Sequence, residues 1–356
     1  MLTNSVVIGT GSYLPQTVIT NEYFQRYAFY QKDGVPMQKS SEAISNKVQQ
    51  ISGIKERRYA NAKEDNATLA AAAGMAALAD ANLNKEQLDA IIVAHNAGNL
   101  KYSDNQPHTI PNLASVTKSM MGIKNPNCIA YDIVFGCPGW VEGMTQAHRM
   151  IAMGDAENVL VIGSEVSSRY IDPHDVDTML FGDGAGAVVL SSQASNMKKG
   201  VICYQSCSHS AEGMKMLKMG PSNNPEKSSR LYLKMDGRQV YRYAVTHVPD
   251  LVNKCLAKAG IPLQKVDHFL FHQANEKMII AIAEKLFKMN GLKGDIDKLV
   301  PMIIQCTGNT SVATIPIMWN LINQQQVPNH TIKEGDTIVL ASVGAGMHIS
   351  CMVYQA

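Results

Sequence analysis

Residues 78–93 read LADANLNKEQLDAIIV, and residues 256–271 read LAKAGIPLQKVDHFLF. The two align without a gap, pairing Leu78 with Leu256, Ala79 with Ala257, Ala81 with Ala259 and Asp89 with Asp267. Each is the end of a helix, a polar loop and a strand whose unbroken apolar run predicts burial on both faces. A second echo follows. Gly154-Asp155 precedes Val159-Leu-Val-Ile-Gly163, and Gly335-Asp336 precedes Ile338-Val-Leu-Ala-Ser-Val-Gly344. One helix–strand unit therefore occurs twice in the chain. Alternating helices and apolar strands build α/β layers with sheets covered on both faces. Two such halves, back to back, predict a duplicated five-layered αβαβα sandwich.

The halves divide just after an apolar strand at 185–190, where a polar stretch at 191–199 reads as a loop. The expected halves are 1–192 and 193–356. Insertions with weak periodicity fall at 28–46, 97–112 and 204–232, and in a duplicated fold such loops carry specificity.

The remaining composition narrows the function. The 356 residues are 46% hydrophobic and 17% charged, enough apolar content for a large core, and the formal net charge of +2 gives no argument for nucleic acid. No apolar run approaches the roughly 18 residues of a membrane span. The N-terminal residues lack the pattern of a secretory signal, and seven scattered cysteines suggest reduced thiols, so a cytoplasmic location is expected. Cys203 and Cys207 are the closest cysteine pair, with no second pair at zinc spacing, and no metal site is expected. The 20 methionines read as core filling or as an adaptable apolar tunnel.

Three segments place a reactive or polar side chain beside a glycine at the end of an element. In Asp132-Ile-Val-Phe-Gly-Cys137-Pro-Gly-Trp140 a strand leads into small residues and then a helix over 141–153. Cys137 stands at the helix start, where the positive end of the dipole favours a thiolate and lowers the thiol pKa. In Phe271-His272-Gln-Ala-Asn275 a buried strand delivers His272 at its C-terminal end, where α/β sites gather. In Cys306-Thr-Gly308-Asn309-Thr-Ser311 the Asn309 amide opens a helix. It can donate to a carbonyl oxygen or serve as an ordinary cap. A fourth segment, Gly344-Ala345-Gly346, follows a strand, and its N–H groups suit a developing oxyanion. Phe181-Gly-Asp-Gly-Ala-Gly186 precedes a strand and opens no helix, so it fails as a dinucleotide loop and reads as a turn with dimer-core packing.

Together GCPGW, FGDGAGA, HQAN, GNTS and GAG, with Gly9-Thr-Gly-Ser-Tyr-Leu-Pro and Gly53-Ile-Lys-Glu-Arg-Arg58 before them, resemble the β-ketoacyl-[acyl-carrier-protein] synthase III family over nearly the whole chain. The resemblance implies a thiolase-like fold and a homodimer whose sheets pair edge to edge, which would cover the edge that an apolar strand such as 185–190 otherwise leaves exposed. It also implies an acyltransferase that condenses an acyl thioester with a malonyl thioester, with loss of carbon dioxide, through an acyl-Cys137 intermediate. His272 and Asn309 take the family's other catalytic positions, and Gly344, Ala345 and Gly346 its oxyanion loop. Asn275 is expected at the substrate. No metal or redox cofactor is implied, because acyl-carrier-protein or acyl-CoA thioesters supply the chemistry. Arg169 matches the family's arginine at the coenzyme A adenine. Lys47 stands where its tryptophan is usual, Ile110 replaces a pocket-closing phenylalanine, and Val343 replaces the phenylalanine before the glycine loop. These departures imply a carrier-bound or longer acyl donor. Arg242, Lys277 and Lys285 fall at the family's carrier-docking places, a charge match for an acidic acyl carrier protein. Three other readings stay open. One is a silent partner subunit of a condensing complex. Another is acyl transfer to an amine or alcohol. The third is a cysteine protease, against which the duplication argues.

Overall fold

In a computed structural model, which describes residues 2–103, 106–196, 198–227 and 230–356, the repeated apolar runs become central strands of two sheets. The first sheet holds β1 (Leu2–Tyr13), β2 (Ala90–Ala94), β3 (Ile129–Ile133), β4 (Asn158–Val166) and β5 (Asp183–Ser195), in the order β1-β5-β4-β2-β3. Strands β4, β2 and β3 run parallel, and β5 is antiparallel to both of its neighbours. The second sheet holds β6 (Gly200–Ser208), β7 (His268–Phe271), β8 (Thr337–Gly344) and β9 (His348–Gln355), in the order β6-β9-β8-β7. Its winding repeats that of the first sheet and stops one strand short. Residues 300–303, which lie where the repeat would put a fifth strand, form none. Pro301 has no N–H for a ladder. Ile303 N–H donates instead to Gln273 Oε1 at 3.0 Å.

The helices are α1 (Ser41–Ser52), α2 (Asn66–Asp80), α3 (Leu113–Met120), α4 (Gly139–Met153), α5 (Gly237–Ala259), α6 (Glu276–Met289) and α7 (Thr314–Asn323), besides shorter turns. Alternation along the strands sorts them into layers. Ile92 and Val161 of one sheet and Leu270 and Leu340 of the other face a shared core filled by α4 and α7 through Trp140, Met144, Ile315 and Trp319. Ile91, Val93 and Leu160 face the other way, onto α2 and α3. Phe269, Phe271 and Val339 face α5 and α6. This is the expected αβαβα stack. Close approach to the middle layer depends on absent side chains. A Cβ on Gly186 of β5 would lie 2.5 Å from the Ile317 backbone nitrogen of α7.

Three expectations change. The polar stretch at 191–199 is not all loop, because β5 continues to Ser195 and pairs with β1 down to Leu2. Met197 lies outside the described residues. Backbone pairing needs no apolar side chain, so the polar composition hid the strand. Residues 185–190 are not a sheet edge, since β5 lies between β1 and β4. The edge strands of that sheet are β1 and β3. The insertions also hold structure: α1 begins inside 28–46, and 204–232 contributes the end of β6, a hairpin strand Leu217–Pro221 and part of its partner Leu231–Met235. Residues 104–105 of 97–112 and 228–229 of 204–232 lie outside the described residues. Among the described residues no helix is long and apolar enough to cross a membrane.

Candidate active site

The chain leaves β3 at Val134 and turns at Gly136, whose φ of +63° favours glycine, to start α4 just beyond Cys137. A Cβ on Gly136 would stand 2.8 Å from Ala345 N, and one on Gly344 would stand 2.5 Å from Cys137 N. Bare backbone on both sides thus lets the loop after β8 lie against the start of α4. The N–H groups of Cys137 and Ala345 come from these touching loops, an arrangement suited to an oxyanion.

Ser311 joins the three predicted catalytic positions. Its Oγ lies 3.4 Å from Cys137 Sγ, and its N–H donates to Asn309 Oδ1 at 2.8 Å. Its carbonyl oxygen lies 3.1 Å from Thr314 Oγ1, and that Oγ1 is 2.8 Å from His272 Nδ1. His272 is delivered by β7, its N–H donating to Ala341 O on β8 at 2.9 Å. Asn309 is held by its backbone between Leu180 O and Gly182 N. Its Oδ1 does the local capping, so its Nδ2 hydrogens are left to donate elsewhere. Thr314 decides the tautomer of His272. If its one hydrogen goes to Nδ1, Nε2 is a donor. If it goes to the Ser311 carbonyl, Nε2 is an acceptor.

Burial sets the charges. It pushes the Cys137 thiol up to about 11; the Ser311 hydroxyl pulls the value back and nearby Glu165 pushes it further. The helix start opposes this, yet the thiol, not the thiolate, is the resting form, contrary to the expectation from α4 alone. Burial also drives His272 down to about 3, so its imidazole is neutral.

Two cavities border the 309–311 loop, one at Ser311 and the other at Asn309. One of about 270 Å³ holds Cys137, Ser311 and Ala345 and is walled by Phe135, Phe181 and Met219. The other, of about 420 Å³, holds Asn309, Ala274 and Asn275 and opens past Val48, Ile51 and Arg242.

Comparison with known proteins follows the same lines. The family model described as 3-oxoacyl-[acyl-carrier-protein (ACP)] synthase III matches residues 131–210, and the corresponding C-terminal model matches 256–356. The β-ketoacyl-[acyl-carrier-protein] synthase III of Bartonella henselae is 33% identical over 347 residues, 96% of either chain. The chain belongs to the β-ketoacyl-[acyl-carrier-protein] synthase III family. The crystal structure of 3-oxoacyl-[acyl-carrier-protein] synthase III from Aquifex aeolicus superposes with a TM-score of 0.81 at 31% identity, covering 99% of this chain and 100% of that one. The priming β-ketosynthase of the R1128 polyketide pathway gives 0.80 at 25% identity, covering 99% and 96%. As a synthase III family member the chain is a condensing acyltransferase with a thiolase-like fold.

Other expected residues of this synthase III chain are more scattered. Asn275 caps α6, accepting from Met278 N–H at 3.1 Å, and lines the 420 Å³ cavity. Arg242 lines the same cavity, Lys277 is exposed on α6, and Lys285 lies two turns further along. Lys47 is exposed on α1. Arg169 is buried, its guanidinium bound to the carbonyls of Leu100, Asn61 and Glu64. It borders a separate 680 Å³ cavity with Tyr23, Tyr27 and Tyr59 and is not brought together with Lys47. Val343 packs in the α5–α6 core beside Met347 and does not reach the Cys137 cavity. Ile110 is 92% exposed and does not close that cavity within one chain. Met121 and Met144 are core residues.

Several cavity residues went unread. His348 stacks on Phe135 with ring centroids 4.0 Å apart. Leu217 and Met219 come from the hairpin strand inside 204–232 and Leu233 from its partner strand just past the end of that insertion, where strand alternation was the available signal. Among the described residues no group of three or more His, Cys, Asp or Glu is arranged to hold a metal ion.

Proposed function

We propose that this enzyme forms an acyl thioester on Cys137 and condenses it with a malonyl thioester. The observation that carries the reading is the Ser311-centred network joining Cys137, Asn309 and His272. Cys137 sulfur attacks the donor thioester carbonyl while the N–H groups of Cys137 and Ala345 hold the oxyanion. The thiol proton ends on the departing donor sulfur. The malonyl thioester then enters past Asn309. With the Thr314 hydrogen on Nδ1, neutral His272 donates from Nε2, and Asn309 donates from Nδ2, to the thioester carbonyl. Carbon dioxide leaves, and its bonding electrons form the enolate these donors stabilise. The enolate carbon attacks the acyl carbon, and the Cys137 sulfur departs as a thiolate that takes a proton from solvent to restore the resting thiol. Loss of one such donor costs about 10²–10³ in rate. His272→Ala and Asn309→Ala are therefore expected to keep self-acylation and to lose malonyl decarboxylation by that factor. Wild-type decarboxylation in either variant contradicts the assignment.

The donor is read as an acyl chain longer than acetyl, carried on acyl carrier protein. The apolar 270 Å³ cavity supports the length. Exposed Arg242 and Lys277 near the 420 Å³ cavity support an acidic carrier. Acyl-CoA is kept as a second donor. A homodimer belongs to the same reading, supported by the edge strand β3, where Ile129 is 50% exposed, and by Val134 just past its end, 67% exposed. So do a cytoplasmic location, a need for no cofactor, and a division of the chain into two halves, moved from 192/193 to the end of β5 at Ser195 because β5 pairs with β1 that far.

A further inference from the structure

Ser311 has a left-handed backbone, φ +53°, which glycine adopts without strain and serine does not. A serine in that place points to a use for its hydroxyl. Around that hydroxyl the hydrogens can be assigned in turn. Glu165 is fully buried, and its Oε2 accepts from Asn96 N–H at 3.0 Å and from Asn96 Nδ2 at 2.6 Å. The other Nδ2 hydrogen of Asn96 goes to Ser311 Oγ at 2.7 Å. Having accepted there, the Ser311 hydroxyl has one hydrogen left, and Cys137 Sγ lies 3.4 Å away.

We propose that Ser311 is a catalytic residue whose O–H donates to the Cys137 sulfur and carries part of its charge as it becomes a nucleophile, while Asn96 and Glu165 are positioning residues that fix the direction of that hydrogen. The thiol is pushed up by burial, and this hydroxyl is the strongest influence pulling it back. Glu165 faces His95, Tyr170 and Cys137 itself, and burial raises it to about 7. The proposal rests on Cys137 as the nucleophile.

The test uses Ser311→Gly, which removes the hydroxyl and relieves the backbone, with Ser311→Ala and Asn96→Ala beside it. Alkylation by iodoacetamide at pH 8.5 is quantified by peptide mapping, with exposed Cys306 as the internal standard. A hydrogen bond to a charged group is worth about one pKa unit or more, and a rising pKa also raises intrinsic nucleophilicity, so the Cys137 to Cys306 ratio is expected to fall about threefold or more. Self-acylation is expected to slow by on the order of tenfold, and Asn96→Ala to move both readouts in the same direction by less. A merely structural role would lower thermal stability and leave the ratio alone. An unchanged ratio in Ser311→Gly, with acyl-Cys137 still formed, overturns this proposal alone. Absence of acyl-Cys137 in the wild type overturns both it and the nucleophile assignment.

Discussion

Cys137 and His272 are both held neutral by burial, and each leaves a pH signature. With the thiol pushed up to about 11, the thiolate fraction grows with pH across the whole neutral range. Alkylation of Cys137 in the substrate-free enzyme is therefore expected to keep rising beyond pH 9, and a plateau below pH 8 contradicts this. His272 has the opposite sign. Its folded pKa of about 3 lies below the ordinary 6.5, so below pH 6.5 the unfolded chain takes up a proton that the folded chain refuses. The stability advantage of wild type over His272→Gln is expected to shrink by about 2 kcal/mol between pH 7 and pH 5. Denaturant titrations at the two pH values would show it, and an unchanged gap refutes a buried neutral imidazole. Cys137, His272 and Asn309 were legible in the sequence because each sits at an element end beside small or polar residues. Ser311, Asn96 and Glu165 were not. Their contacts join segments 69 and 215 residues apart and depend on a left-handed turn that no pattern of residue types announces.

At the scale of elements, the stack depends on how closely α7 can lie on β5. The Cβ of Gly186→Ala would meet backbone atoms, Ile317 N at 2.5 Å and Pro316 C at 2.7 Å, which cannot swing aside as a flexible side chain can. Overpacking of this kind costs about 1–3 kcal/mol. A lowered urea midpoint with an unchanged slope is expected, and a wild-type midpoint would show that the layers have room to spare. The strands of the repeat were readable because unbroken apolar runs leave few alternatives, and β7 falls where the sequence put it. The missing fifth strand of the second sheet was not readable from the duplication. Pro301 and the competing bonds of Gln273 break a symmetry that the first copy keeps. The end of β5 was missed because pairing with β1 overrides a polar composition.

Among the described strands, β3 is an edge strand with exposed side chains that leads directly into the active site. Strand β3 pairs on one side only, and the chain passes from it through Val134 to Cys137. Exposed strand edges invite pairing with another copy. A homodimer joined at β3 is the expected state, and Ile129→Asp with Val134→Asp is expected to yield monomers by light scattering. Dimers of unchanged affinity in that double variant would place the interface elsewhere. The duplication and layer order were legible from sequence, whereas the edge was assigned to the wrong strand, because a strand's neighbours depend on topology that its own residues do not encode. The central claim is that Cys137 carries the acyl group to a malonyl acceptor, and mass spectrometry tests it most directly. The enzyme is incubated with octanoyl carrier protein, its intact mass is measured and the modified peptide is located. The account predicts one octanoyl adduct, on the peptide containing Cys137, absent in Cys137→Ala and discharged as a β-ketoacyl thioester when malonyl carrier protein is added. An adduct on another cysteine, or one that malonyl carrier protein leaves in place, contradicts it.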